Sequence, residues 1–312
     1  MGLTTFGRSN ELPGLALSTM WAKDRFARMA VFVAKAEGLG FEYIEANAWL
    51  SPRMLAQLLA TGVPISSIHA PCPNVLSATG APAGALSLSS LDASERTEAV
   101  SFTRQAIDLA VDVKARAIVL HMGEAPIDLR LEDRLRRLHR EGRGRTDEYD
   151  RVAAELVRRR NAVVPPYLEA AGKSLRELSR YSRQKGIILG IETRFHLHEI
   201  PNIDEAAQLL GEVPDDAAGY WHDVGHAEVQ HRLGVNAHEE WLSRFQHRMV
   251  GIHLHDIVGI CDHHAPGTGD MDWSMIAGYI PAGIVKVCEI GEWNEEEQIQ
   301  GVVGFLHEAG IV

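Results

Sequence analysis

Two short segments near the end of the sequence are rich in side chains that bind metal ions. Residues 253–256 (HLHD) and 262–264 (DHH) place six imidazoles and carboxylates within twelve residues. Three further acids, Glu192, Asp223 and Glu289, each stand at the end of an apolar stretch. Acids crowded into one pocket repel one another and shift towards the neutral form unless a cation holds them. Because mixed imidazole and carboxylate ligands suit Mn, Co, Zn, Fe or Mg, the pattern indicates metal-dependent chemistry.

These side chains need a scaffold that brings distant parts of the sequence together. Short apolar stretches alternate with longer amphipathic ones along the chain, which is typical of repeated strand and helix units around a parallel sheet. We count about eight apolar stretches, the number that closes a parallel barrel. The predicted strands cover residues 15–20, 43–46, 65–69, 117–121, 187–192, 218–223, 250–255 and 284–289. The predicted helices cover residues 25–37, 52–61, 93–113, 148–184, 203–211, 238–247, 275–279 and 295–308.

The positions of the polar residues favour a barrel over an open doubly wound sheet. In parallel barrels the active site forms at the carboxyl ends of many strands. An open sheet would instead carry a glycine-rich turn after its first strand, and this sequence has none there. The sequence therefore predicts a single-domain (β/α)8 TIM barrel over residues 1–312. The acids and histidines at the predicted strand ends are Glu45, His69, His121, Glu192, Asp223, His255 and Glu289.

Charge and composition narrow the class of protein. The formal net charge of -11 argues against a general binder of nucleic acid or anionic membranes. No apolar stretch approaches the roughly 20 residues that span a bilayer, and residues 1–10 lack the pattern of a secretory signal. Cys72, Cys261 and Cys288 have no spacing that suggests a zinc or redox motif. We therefore expect a cytoplasmic protein with free thiols.

One region departs from the regular pattern. Residues 130–160 contain eleven arginines against seven acids, and we assign them to an Arg-rich insertion at 124–165 after the fourth strand. One interpretation is a solvated helical hairpin with ion pairs between residues four apart. The other is a lid or a phosphate-binding patch over the barrel mouth. The sequence does not separate the two interpretations.

Each candidate residue has a possible structural role as well as a possible role in metal binding or catalysis. Glu192 ends a strand that is buried on both faces, so it needs a metal, a catalytic role or an ion pair with Arg194. Asp223 can be a helix cap, and His226 alone can be a hydrogen-bonded structural residue. Because side chains alternate along a strand, His253 and His255 point to the same side of the sheet.

Five segments together resemble the xylose-isomerase-like TIM-barrel superfamily, which contains sugar isomerases and epimerases and also endonuclease IV. The segments are 191–194 (IETR), 223–226 (DVGH), 253–256 (HLHD), 262–273 (DHHAPGTGDMDW) and 288–289 (CE). For an epimerase, the resemblance implies one divalent metal (Mn, Co, Mg or Zn) held by Glu192, Asp223, Glu289 and His255, with His253 as the alternative to His255. It also implies that Glu192 and Glu289 exchange the proton of the substrate.

Endonuclease IV uses a larger set of ligands for three zinc ions, and this chain has a residue at each of its motifs. The metal count therefore stays open between one and three. The wider set that this resemblance implies is His69, His121, Glu192, Asp223, His226, His253, Asp262, His264 and Glu289.

The leading functional hypothesis is a metal-dependent isomerase or epimerase of a sugar, sugar phosphate or polyol, acting through a metal-stabilised enediolate. Here His226 and Arg194 bind substrate oxygens, and Trp49, Trp221 or Trp273 forms an apolar wall. The alternatives are a zinc phosphodiesterase that acts on abasic DNA, a related sugar lyase or dehydratase, and a metal-binding barrel without turnover. A small sugar is the expected partner, and a homo-oligomer is compatible with the sequence.

Overall fold

The computed structural model describes residues 14–312. The expectation about a secretory signal in residues 1–10 therefore lies outside the described residues. Within this range the strands are β1 (Ala16–Ser18), β2 (Tyr43–Ala46), β3 (Ile65–His69), β4 (Ala117–Leu120), β5 (Ile188–Glu192), β6 (Ala218–Asp223), β7 (Met249–Leu254), β8 (Asp256–Val258), β9 (Cys261–His264) and β10 (Val285–Cys288). The helices are α1 (Met29–Gly38), α2 (Pro52–Leu59), α3 (Ala93–Asp112), α4 (Leu129–Arg140), α5 (Asp147–Lys185), α6 (Ile203–Gly211), α7 (Val224–Arg232), α8 (His238–Phe245), α9 (Trp273–Ala277), α10 (Glu296–Ile299) and α11 (Val302–Glu308).

Eight of the strands in residues 14–312 close into one parallel barrel, in the order β1-β10-β7-β6-β5-β4-β3-β2. Strands β8 and β9 form a separate antiparallel hairpin at the barrel mouth. One or more helices follow each barrel strand and cover the barrel, as the alternating pattern requires. The single-domain (β/α)8 barrel that the sequence predicted is thus confirmed.

Several predicted boundaries differ from the structure. His121, His255 and Glu289 follow their strands instead of ending them, because the chain already turns towards the barrel mouth at these points. The predicted helix over 295–308 is two helices, α10 and α11, with Gly301 between them. The β8–β9 hairpin and helix α7 were not predicted. Helix α7 follows β6 without a loop, since the Asp223 side chain caps it by accepting from the His226 backbone N–H at 2.8 Å.

The interior of the barrel is packed with apolar side chains below the mouth. The largest is Trp221, which is fully buried. Two glycines make room for its ring, since a Cβ added at Gly251 would lie 2.1 Å from the indole and one at Gly190 would lie 2.8 Å from it. The barrel is therefore closed beneath the site at its mouth. The other residues of this interior cluster are Ala16, Ala117, Val119, Val285 and Val287.

The Arg-rich region forms a helical hairpin of α4 and the first part of α5. Its own small apolar core includes Leu135, Leu138 and Leu156, and Leu197 from the segment after β5 packs into it. Exposed arginines of the hairpin pair with nearby acids, as Arg159 does with Glu155 four residues before it. The hairpin is thus attached to the β5 end of the barrel by a shared apolar core.

The helices and the cysteines of the described residues can be compared with the expectations from the sequence. No helix among the described residues has the length and apolar character needed to cross a membrane. Cys72, Cys261 and Cys288 are free thiols, of which Cys72 and Cys288 are buried and Cys261 is exposed.

Candidate active site

Four side chains meet at the carboxyl ends of neighbouring barrel strands. Asp223 lies opposite His253 across the β6–β7 pair, and Glu192 at the end of β5 lies next to this pair. Glu289 follows β10 on the other side of β7. All four residues are almost completely inaccessible to solvent. One ligand atom of each lies within 4.8 Å of the others, so the four residues can hold a metal ion together.

Three carboxylates converge on one nitrogen of His253. Its Nδ1 atom lies 2.7 Å from Glu192 Oε1, 3.1 Å from Glu289 Oε2 and 3.5 Å from Asp223 Oδ2. Its Nε2 atom lies 3.2 Å from both carboxylate oxygens of Glu45. When Nε2–H donates to Glu45, the lone pair of Nδ1 faces the three acids. A carboxylate behind the imidazole is the usual way to fix a histidine as a metal ligand.

The four-residue group fits a divalent cation. Asp223 Oδ2 is buried and has no hydrogen-bond partner among residues 14–312. An unpaired buried polar atom costs about 1–3 kcal/mol, and more when it is charged. A cation among the four ligand atoms would pair this oxygen and relieve the repulsion among the acids. Carboxylate and imidazole donors suit Mn, Co, Zn, Fe or Mg, as the sequence indicated.

The surroundings shift the pKa values of Glu192 and Glu289 in opposite directions. Burial raises the pKa of Glu289 to about 8, against the attraction of His253 and with support from the neighbouring acids. Burial also opposes ionisation of Glu192, but His121, His253 and Arg194 outweigh it and hold its pKa well below the usual range. Around neutral pH, Glu192 is ionised and Glu289 is protonated. These protonation states are those of the metal-free chain, and a cation held by the same carboxyl groups would favour the ionised form of Glu289. In the metal-free chain the two carboxyl groups differ as a general base and a general acid do.

A second group of possible ligands shares Glu192 with the first. Glu192 Oε2 lies 2.7 Å from His121 Nε2 and 4.0 Å from His69 Nε2, whereas its Oε1 faces His253. The buried Nδ1 atom of His69 has no hydrogen-bond partner within the described part of the chain. Burial also holds the pKa of His69 well below its ordinary value, so the ring is neutral and able to bind a metal.

A third group lies at the edge of the site. Asp262 Oδ2 lies 3.5 Å from His226 Nε2 and 3.7 Å from His263 Nε2. His226 Nδ1 lies 2.9 Å from the Thr193 carbonyl oxygen, to which it donates. The Nε2 lone pair of His226 is therefore free to face Asp262. One ligand atom from each of His226, Asp262 and His263 lies within 4.8 Å of the others, so these residues too can hold a metal ion.

Two predicted ligands, His255 and His264, belong to none of these three groups. His255 donates through Nε2 to Asp223 Oδ1 at 2.9 Å and accepts at Nδ1 from the His263 backbone N–H at 2.9 Å. Both of its nitrogens are thus used, and the structure groups His253 with the three acids instead. His263 takes the place that the sequence gave to His264, because its left-handed backbone (φ 56°) breaks the alternation of side chains in β9.

The cavity above these groups has a volume of about 370 Å³. Arg194 and His226 line it, as expected of residues that bind substrate oxygens. Arg194 contacts Glu192 Oε2 and lies 3.2 Å, through Nε, from Glu199. Its guanidinium is therefore held by two acids. Phe195 gives the cavity an apolar wall.

None of the three tryptophans is among the described residues that line this cavity. Trp221 lies one layer deeper, where its ring meets the edge of His253 at 5.1 Å. Trp49 donates to the Thr19 carbonyl at 2.9 Å, and Trp273 donates to Asp256 at 3.2 Å. Their roles are in packing and loop structure.

Sequence reasoning missed several residues that the structure places in the site. Glu45 was noted as a strand-end acid but not as the partner of His253. Asn47, two residues later, donates through Nδ2 to Glu289 Oε1 at 2.9 Å. The period of two in β2 was a signal for this pair. Glu199 lies in the loop between β5 and α6, where the sequence carries no comparable signal. His263 belongs to the ligand-rich segment 262–264, from which the sequence favoured His264 instead.

Residues 33–308 match the family model for the xylose isomerase-like TIM barrel. No curated protein matches the sequence of this chain. A D-tagatose 3-epimerase-like protein shares the fold with a TM-score of 0.63 and 18% identity, over 95% of this chain and 96% of that chain. D-psicose 3-epimerase with D-tagatose from Clostridium cellulolyticum H10 has a TM-score of 0.63 and 15% identity, over 95% of this chain and 99% of that chain. The IOLI protein with a binding zinc atom has a TM-score of 0.65 and 13% identity, over 95% of this chain and 98% of that chain. At such identities the likeness shows a shared fold.

Proposed function

We propose that this chain, which belongs to the xylose isomerase-like TIM-barrel family, is a divalent-metal-dependent isomerase or epimerase of a sugar, sugar phosphate or polyol. The observation that carries the proposal is the convergence of Glu192, Asp223 and Glu289 on Nδ1 of His253 beneath a small cavity. The structural relatives described as sugar epimerases support the same class of substrate.

Glu192, Asp223, His253 and Glu289 would hold the cation. When bound there, a divalent cation would bind adjacent carbonyl and hydroxyl oxygens of the substrate and stabilise the negative charge that develops as a carbon-bound proton leaves. Mn, Co, Mg and Zn all suit this donor set. The IOLI relative is described with a binding zinc atom, which supports metal binding by a protein of this fold.

The two glutamates divide the proton transfer between them. Glu192 Oε2 contacts Arg194 and His121, and Oε1 lies 2.7 Å from His253 Nδ1; the ionised carboxylate is the proposed base. Asn47 Nδ2 donates to Glu289 Oε1, and Glu289 Oε2 faces His253 Nδ1. These two atoms, Glu192 Oε1 and Glu289 Oε2, both lie beside His253 Nδ1. A base and an acid thus flank one position, as isomerisation and epimerisation require.

The cavity and its charge fit a small polar substrate. A volume of about 370 Å³ lies at the lower end of the range for small-molecule sites. Arg194 and the Nε2 atom of His226 are the proposed ligands of substrate oxygens, and Phe195 excludes water from one side. A sugar lyase or dehydratase would use the same removal of a carbon-bound proton. Cytoplasmic location and a homo-oligomeric state stay predictions.

A zinc phosphodiesterase is the second candidate, and one observation favours it. The three groups of ligands resemble a cluster of metal sites, with Glu192 common to two of them. Clustered zinc ions activate water and stabilise a leaving oxygen in phosphodiester hydrolysis. DNA binding needs many free cationic contacts, however. The hairpin offers some, because Arg137, Arg140, Arg145 and Arg151 are exposed, while Arg134, Arg143 and Arg159 are paired with acids. The formal net charge of -11 opposes binding to DNA.

Hydrogen exchange at carbon tests the proposed reaction. An isomerase or epimerase incubated with a panel of keto-sugars in deuterated water should place deuterium at the carbon beside the carbonyl. Chelation should abolish the exchange, and added Mn, Co, Mg or Zn should restore it. A hydrolase has no such step. Absence of exchange across the panel, together with metal-dependent cleavage of abasic DNA, would replace the proposal with the second candidate.

Metal counting separates a single site from a cluster. If only the four-residue group is occupied, His69→Ala and His121→Ala should leave the metal content per chain unchanged. A loss of one metal per chain in these variants would show that the second group is in use. Elemental analysis of protein purified without added metal gives this count directly.

A further inference from the structure

A further cluster of imidazoles and carboxylates lies at the rim of the cavity described above, and His196 of this cluster lines the cavity. Glu132 stands in the first turn of α4, and His196 and His198 lie between β5 and α6. Glu132 Oε1 lies 2.9 Å from His196 Nδ1, and Glu132 Oε2 lies 3.3 Å from His198 Nδ1. The two imidazole rings are 5.0 Å apart. One ligand atom from each of the three residues lies within 4.8 Å of the others.

The donor set of this outer cluster (Glu132, His196 and His198) suits a borderline transition metal. Two imidazole nitrogens and a carboxylate oxygen match the ligands that zinc, nickel and copper ions take. Glu124 is a further oxygen donor nearby, since its Oε2 lies 3.4 Å from His198 Nε2. Arg136 pairs with Glu132, and Glu124 adds a second carboxylate beside His198, so these groups carry an excess of negative charge when the imidazoles are neutral.

The cluster is both fixed and accessible. Glu132 is buried, and it accepts from Arg136 Nε and Nη2 at 2.9 and 2.8 Å and from the Leu197 backbone N–H at 3.1 Å. These bonds hold the carboxylate towards the two imidazoles. The His196 side chain is 46% exposed, which leaves a route of entry and an open coordination position for water.

We propose that Glu132, His196 and His198 form a transition-metal site, at the rim of the cavity and apart from the four-residue group, that takes Zn²⁺ or a cation of similar preference. The ion would join the Arg-rich hairpin to the segment between β5 and α6. That segment carries Arg194 and Phe195, which line the cavity, and Arg136 already holds it through the Phe195 carbonyl at 2.9 Å. An ion at the outer cluster would therefore stiffen one wall of the cavity. The proposal does not depend on the reaction that the barrel catalyses.

Zinc titration of the metal-free full-length chain tests the site. Wild-type protein should bind one more equivalent of Zn²⁺ than the His196→Ala/His198→Ala variant, as counted by calorimetry and native mass spectrometry. The matched control is His307→Ala on α11, which should bind as much as wild type. Glu289→Gln should weaken the barrel site but keep the outer equivalent. Equal zinc stoichiometry in the wild type and the double variant would refute the site.

A measurement on the unaltered sequence covers the case in which the double variant does not fold. Diethyl pyrocarbonate labels accessible neutral imidazoles, so Zn²⁺ at the outer cluster should lower labelling of His196 at least tenfold, and His307 should label equally with and without the ion. The Glu289→Gln variant should show the same protection, because its outer cluster is unchanged. Unchanged labelling of His196 at saturating Zn²⁺ would mean that the cluster is only hydrogen-bonded.

Discussion

The role of Glu45 gives the sharpest test of which histidine binds the metal. Glu45 accepts from His253 Nε2 at 3.2 Å and from Ser67 Oγ at 2.8 Å, and it is completely buried. The Glu45→Gln substitution keeps the shape of the side chain but removes the charge that fixes the His253 tautomer. Loss of such a partner typically weakens metal binding about 10- to 100-fold. This corresponds to about 1.4–2.8 kcal/mol of binding free energy.

Calorimetric titration of the metal-free variant with Mn²⁺ or Zn²⁺ measures this loss. Ser67→Ala is the matched control, because it removes the other hydrogen bond of Glu45 and keeps its charge. We expect a much smaller change in this control. Turnover of Glu45→Gln at saturating metal should recover towards the wild-type value, since Glu45 positions His253 and reaches Glu289 only through its charge, which helps to raise the pKa of Glu289. His255 has no contact with Glu45 in the structure, so an unchanged metal affinity in Glu45→Gln would point to His255 as the ligand.

Three other outcomes follow from the same structure. Glu192→Gln and Glu289→Gln should each lower turnover at least about 100-fold, with metal content verified, since each removes a proton-transfer group; near-normal turnover would exclude the acid–base assignment. Gly251→Ala should cost about 1–3 kcal/mol in urea unfolding, because its Cβ would meet the Trp221 ring at 2.1 Å. Gly304→Ala, with open space around it, should not destabilise the chain. In the metal-free protein, the pKa of Glu289 rises from 4.5 to about 8 on folding, so the folded state binds this proton more tightly. Its contribution to the free energy of unfolding should therefore be fully present below about pH 4.5 and be lost as the pH rises to about 8. The Glu289→Gln variant should lack this slope.

The barrel was predictable because its signals are local. Apolar stretches ending in an acid or a histidine located Glu192, Asp223 and Glu289 at strand ends, and the structure brings all three together. The choice between His253 and His255 was not predictable in the same way. The strand period places both on one side, and only the register across the barrel puts His253 opposite Asp223.

The sequence did not specify how deep a side chain lies in the barrel or which arginine pairs with which acid. Trp221 points into the barrel as its strand position requires, but it lies two residues before Asp223 and so belongs to the layer below the site. Eleven arginines in residues 130–160 look alike in sequence. Only the packing of the hairpin selects Arg136 and Arg160 for burial, where Arg160 binds Glu205 and the Leu197 carbonyl.

The position of Trp221 beneath His253 also provides an optical reporter. Its indole ring lies 5.1 Å from the imidazole that faces the three acids, so a charge arriving at that imidazole changes the electric field on the ring. Tryptophan emission responds to such fields in wavelength and intensity. The outer cluster has Phe195 beside His196 at 4.8 Å, and phenylalanine emits too weakly to interfere. The emission that Trp221→Phe removes from the spectrum should therefore follow occupancy of the barrel site in real time, without an added dye or a substrate.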